Sequence, residues 1–108
     1  MTEQERRDIK AKLIELGFWG ADEAGDPTSD IEDAAKLKGR LDAKLADGVY
    51  LGSRVVVPLS LDRELLIWNM DQEYQLVTAS NYIEGISLAA LALPEFLREH
   101  PECAADRK

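Results

Sequence analysis

What the chain lacks narrows its chemistry before anything else does. Cys103 is the one cysteine in 108 residues, so no internal disulfide framework can form. His100 is the one histidine, and a zinc site would need three or four converging ligands that one Cys and one His cannot supply alone. His100 also stands three residues before Cys103 with Pro101 between them, in a segment read as tail. A Cys–His nucleophile pair needs a preorganised pocket, which that setting does not offer. No Gly-x-Gly-x-x-Gly, phosphate loop or Gly-x-Ser-x-Gly occurs. Carboxylates such as Glu64, Asp71 and Glu73 fall on turns and exposed positions, where solvation is the default. No catalytic residue, metal ligand set or cofactor is expected, and the reading leans away from an enzyme.

Bases are also scarce. Thirteen Lys and Arg face 21 Asp and Glu, for a net charge of −8. Both halves share the excess: twelve acids against eight bases up to Gly48, and nine against five after it. Neither half is a hidden basic domain, so nucleic acid and anionic membrane are disfavoured partners. Long apolar runs are missing as well. The uncharged run Gly85 to Pro94 is ten residues, about half of a bilayer-spanning helix, and no uncharged run is longer. Met1 to Arg7 has no apolar stretch behind it of the signal-peptide kind. A cytoplasmic location is the expectation.

With 45 % hydrophobic and 31 % charged residues, the composition is that of a globular chain. Its length fits one domain, burying roughly two-thirds of the unfolded surface. Thr2-Glu3-Gln4-Glu5 is a capping box, and Ile9, Leu13 and Leu16 continue it at helical spacing. A surface helix is predicted over 3–17, stopped by Gly17 and Gly20, with Phe18 and Trp19 folding back as core anchors. A second helix is predicted over 30–47, with Ala34, Leu37, Leu41 and Leu45 on its buried side and Asp47-Gly48 as its stop. Asp26-Pro27 and Ser29-Asp30-Ile31-Glu32 both resemble helix starts.

Residues 49–79 hold most of the β-branched and aromatic side chains, and everything else is expected to pack on them. Gly52-Ser53 suits a two-residue hairpin turn between Val49-Tyr50-Leu51 and Arg54-Val55-Val56, or else a bulge in one longer strand. Pro58 belongs at an edge or a strand end. Glu64 to Met70 is apolar on both sides, as a central strand is. Asp71-Gln72-Glu73 turns the chain, and Tyr74 to Ala79 returns. A third helix follows an Asn81 cap, apolar nearly all round from Ile83 to Leu93, with Pro94 as a kink point.

The predicted architecture is one α+β domain: a helical pair over 1–48, an antiparallel meander of three or four strands over 49–79, a C-terminal helical segment over 80–100, and a frayed tail over 101–108. The first two helices are expected to pack on one sheet face, and the last to close an edge or the other face.

Residues 21–33 contain six acids and no base. A calcium loop needs alternating oxygen ligands and a glycine at its sixth position. Counting from Asp22 puts Ala24 third, and counting from Asp26 puts Ile31 sixth, so both registers fail. Asp22, Glu23, Asp26, Asp30 and Asp33 are instead expected to form an acidic lip offered to a basic protein. The chain is therefore read as a protein-binding module of the inhibitor, immunity or adaptor kind, working by stoichiometric contact. Ile86, Leu88 and Leu91 are the expected seam of a homodimer. One alternative is a small-ligand pocket lined by Trp19, Tyr50, Trp68 and Tyr82. Another is nucleic-acid contact through Lys36, Arg40 and Lys44, which lie four apart on the second helix.

Overall fold

The computed structural model describes residues 1–56 and 62–105. Its elements are α1 (Glu3–Glu15), α2 (Ile31–Asp42), β1 (Val49–Val55), β2 (Arg63–Asn69), β3 (Gln72–Ala79), α3 (Tyr82–Glu99) and a 3-10 turn, Pro101–Cys103. The three strands form one antiparallel sheet in the order β1-β2-β3, so the fold class is the expected α+β.

The first helix starts where its chemistry says it should. The Glu5 N–H donates to the Thr2 hydroxyl at 3.1 Å, and the Thr2 N–H donates back to the Glu5 carboxylate at 3.0 Å. At its end Gly17, at φ +83°, lets Phe18 N–H reach the Leu13 carbonyl and Gly17 N–H reach that of Ile14. This left-handed stop turns Phe18 and Trp19 inward, and both are buried.

Helix α2 ends at Asp42, five residues short of the expected stop. The cause is non-local. Ala46 N–H donates to the Cys103 carbonyl, Ala105 N–H donates to that of Lys44, and Leu45 bridges Ala104. Residues 44–46 are thus drawn out of the helix to pair with a tail expected to be frayed, in which Cys103 is fully buried. Residues 106–108 lie outside the described part.

The Gly52-Ser53 hairpin does not form, nor does a bulge there. Strand β1 runs straight through, in unbroken register with β2 from Val49 opposite Asn69 to Val55 opposite Arg63. Glycine is required for another reason: the Trp68 ring lies over it, and a Cβ at position 52 would collide with that ring. Pro58 falls outside the described residues. The irregularity is in β3, where the register with β2 shifts between Leu65 and Leu66.

Met70 and Asp71 form the two-residue turn from β2 to β3, displaced from the expected Asp71 to Glu73. Met70 has φ +56°, a backbone region that favours glycine, and its side chain is 92 % exposed. Met70→Gly therefore removes strain without removing packing. It is expected to stabilise the fold by about 1 kcal/mol, allowing for the greater freedom of unfolded glycine. A rise in the urea midpoint at constant slope checks this; a fall would mean that Met70 packs on something.

Helix α3 continues through Pro94 to Glu99. It is the main layer on the sheet, lying on β2 and β3, while α2 touches β1 and both α1 and α2 pack on α3. Gly85 faces Leu65 and Ala79 of the sheet. Two residues on, and so on the other side of the helix, the Ser87 hydroxyl donates to the Pro27 carbonyl. Coverage from both sides explains an apolar composition nearly all round. Beyond it, the rings of Tyr74, Phe96 and His100 stack between β3 and the helix end, with centroids 4.5–5.4 Å apart.

Candidate functional site

The acids of residues 21–33 are largely used inside the chain. Asp30 is the N-cap of α2, accepting from Glu32 N–H at 2.8 Å and Asp33 N–H at 3.2 Å, one residue beyond the expected Ser29. Asp26 accepts from the Thr28 N–H and hydroxyl and from the Ser29 hydroxyl. Asp33 reaches back to the Asp26 N–H at 2.8 Å. Glu23 accepts from Gly20 N–H and takes both arms of the Arg40 guanidinium at 2.7 and 2.5 Å. Among the described residues Asp22 alone of the five makes no such bond. Arg40 also donates to the Phe18 carbonyl and lies over the Trp19 indole, 4.7 Å from the ring centre. It is the peg that fixes the loop to α2, which takes it out of the Lys36, Arg40 and Lys44 ridge.

These carboxylates carry a pH signature. The Arg40 guanidinium first, and the Gly20 N–H second, lower Glu23 from the ordinary 4.5 to about 2. Burial pushes Asp26 upward, but the bonds from Thr28 and Ser29 together outweigh it, and its carboxyl titrates below the ordinary value. A depressed folded value stabilises fully above the unfolded value and loses that contribution as pH falls through the folded one. Melting temperature is therefore expected to drop between about pH 4.5 and about pH 2. Glu23→Gln, which cannot ionise, should melt lower at pH 7 and change less over that window. Parallel curves for the two proteins would show that the pair contributes nothing.

The four aromatics expected to share a pocket are divided. Trp19 is core, its Nε1 buried with no hydrogen-bond partner among the described residues, and Tyr82 opens α3 at the core margin. Tyr50 and Trp68 do come together, directly opposite each other on β1 and β2. Of the expected dimer seam, Ile86 is fully buried within this single chain, while Leu88 and Leu91 are half-buried. A separate apolar cleft of about 290 Å³ opens between Leu16, Phe18, Leu93 and Leu97, with Lys44 and Arg98 also lining it. None of the four aromatics reaches it. Among the described residues no three His, Cys, Asp or Glu side chains converge as metal ligands.

Tyr50 and Trp68 lie on the sheet face turned away from α3. Alternation along each strand puts Gly52, Arg54, Glu64, Leu66, Glu73 and Gln75 on the same face. Tyr50 is 67 % exposed at the margin of this face and Leu66 at its centre is buried, and among the described residues no helix lies over it. One cation crosses all three strands. Arg54 donates Nε and Nη2 to Glu64 at 3.1 and 2.8 Å, and Nη1 to Glu73 at 3.0 Å. The Trp68 indole N–H donates to the same Glu73 oxygen at 2.9 Å. That indole bond first, and Arg54 second, hold the Glu73 carboxyl below its ordinary value. The Trp68 indole is thus held from both ends: its N–H by Glu73 and the far edge of its six-membered ring by bare Gly52. The result is an amphipathic surface on which Arg54 and Trp68 are each held by hydrogen bonds.

Fold and face together define a class: a small α+β domain with one sheet face covered by a helix and, among the described residues, no helix over the other. No family model, curated protein or solved structure matches the chain in comparison.

Proposed function

We propose that the chain is a protein-binding module acting by stoichiometric contact, and that it makes this contact through the sheet face turned away from α3, at its exposed Tyr50 margin. The Tyr50–Trp68 pair carries the reading. Interface hot spots favour Trp, Tyr and Arg, above all where the side chain is held in place before the partner arrives. Trp68 and Arg54 are so held, and exposed Tyr50 stands beside them. The net charge of −8 favours a basic partner by steering encounter. A cytoplasmic setting accords with a single, buried, unpaired thiol.

The test is capture on the immobilised chain, followed by calorimetry with the purified partner. Tyr50→Ala is expected to weaken binding by about tenfold or more, with folding intact, since the side chain is mostly in solvent. Charge reversal at Asp22 should slow association with a smaller loss of affinity. If Tyr50→Ala binds normally while the Asp22 variant does not, the contact lies at the lip and the reading fails.

A further inference from the structure

We propose that two copies of the chain associate edge to edge through β1, joining their sheets into one of six strands across a two-fold axis at Gly52. Both outer strands of a three-stranded sheet present unpaired backbone groups, and proteins blunt such edges with bulges or charges. Strand β3 is interrupted by its register shift, whereas β1 is regular over all seven residues. Its sequence is self-complementary in antiparallel register about Gly52. Val49 would face Val55 of the second copy, Tyr50 would face Arg54, and Leu51 would face Ser53.

The shape of the strand's two ends carries the inference furthest. At one end Val55 and Val56 stand 46 % and 42 % exposed, an apolar knob. At the other a recess of about 330 Å³ lies between the end of α2 and β1, walled by Leu45, Ala46, Val49 and Leu51 and rimmed by the charged Lys38, Asp42 and Asp47. Antiparallel pairing about Gly52 brings the knob of each copy to the recess of the other. A two-fold axis makes that contact twice, which an unrelated strand would not do. On the outer face Arg54 would approach the Tyr50 ring, adding a cation–π contact across the seam. Val55 and Val56, 46 % and 42 % exposed on a regular edge, thereby gain cover.

The charge of −8 on each copy opposes self-association, so salt should strengthen it by screening. Binding of a basic partner to the face turned away from α3 should weaken with salt, so the two proposals fail separately. The experiment is sedimentation equilibrium of the full chain from about 1 µM to about 1 mM at two salt concentrations. The mass should climb from 12.0 kDa towards twice that value, and climb earlier at the higher salt. Val55→Lys should weaken association about tenfold or more, because the apolar Val55 contact with Val49 of the second copy is replaced twice per dimer by a long charged side chain that must be desolvated at the seam. Met70→Lys, an equal charge change at an exposed site off the seam, should associate at least as well as the normal chain at high salt. A constant 12.0 kDa, undiminished association of Val55→Lys, or an equal loss in Met70→Lys would each overturn the proposal.

Discussion

Leu65→Ala is expected to lower the unfolding free energy by about 3–4 kcal/mol, in the upper part of the range for leucine truncation. Leu65 is fully buried at the middle of the central strand, and its side chain enters the space that Gly85 leaves open on α3. Cost at such a site depends on whether the walls can close on the void. Here they are held. The strand is paired on both sides, and the far side of α3 is tied to the acidic loop through Ser87 and Pro27. A domain of this size has about 5–15 kcal/mol in all, so the variant should show a large fall in guanidinium midpoint at unchanged slope. A loss below about 1 kcal/mol would mean that α3 settles freely onto the sheet, contrary to this packing.

Much of that packing was legible, because the signals for it are local. The Thr2–Glu5 box, the inward turn at Gly17 and the two-sided apolar pattern of β2 are each contained within a few residues. Where the reading missed, the deciding partner is far along the chain. A glycine can mark a turn or a close approach, and at Gly52 the approach is by Trp68, sixteen residues away. The end of α2 looked set by Asp47-Gly48, yet residues 44–46 are claimed by 103–105. An all-round apolar α3 announced cover on several sides without saying which element supplied it.

The candidate site shows the same division. A run of one charge sign reads as surface, yet Glu23 has its counter-ion on the next helix, seventeen residues on. Asp26, Asp30 and Asp33 found local N–H and hydroxyl donors, in keeping with the helix-start signals already visible there. The Arg54, Glu64 and Glu73 lattice went unseen for one reason. Splitting β1 at Gly52 removes the alternation that places Tyr50 and Arg54 on one face. Treated as a single strand, 49–55 puts Arg54 across from Glu64 and Tyr50 across from Trp68, and the face they share follows from register alone.

Gly85→Val tests the same interface from the helix side and is expected to cost about 2–3 kcal/mol. Glycine within a helix is ordinarily a weakness, and valine there should recover a few tenths of a kcal/mol in propensity. That gain is overwhelmed, because a Cβ at position 85 runs into the Leu65 side chain and stands 3.6 Å from the Ala79 Cβ. Valine adds two further methyls with little rotamer freedom in a helix. Its collision partner is the residue whose truncation leaves a void, so the two changes should not add. In the double variant Leu65→Ala with Gly85→Val, the valine methyls enter the space the leucine vacates. The combined loss should be about 3–4 kcal/mol, well short of the sum of the single losses, as is usual for side chains in direct contact. Denaturation of the four proteins closes the cycle. Additive losses would mean that position 85 does not face Leu65, and that α3 lies on the sheet in another rotation.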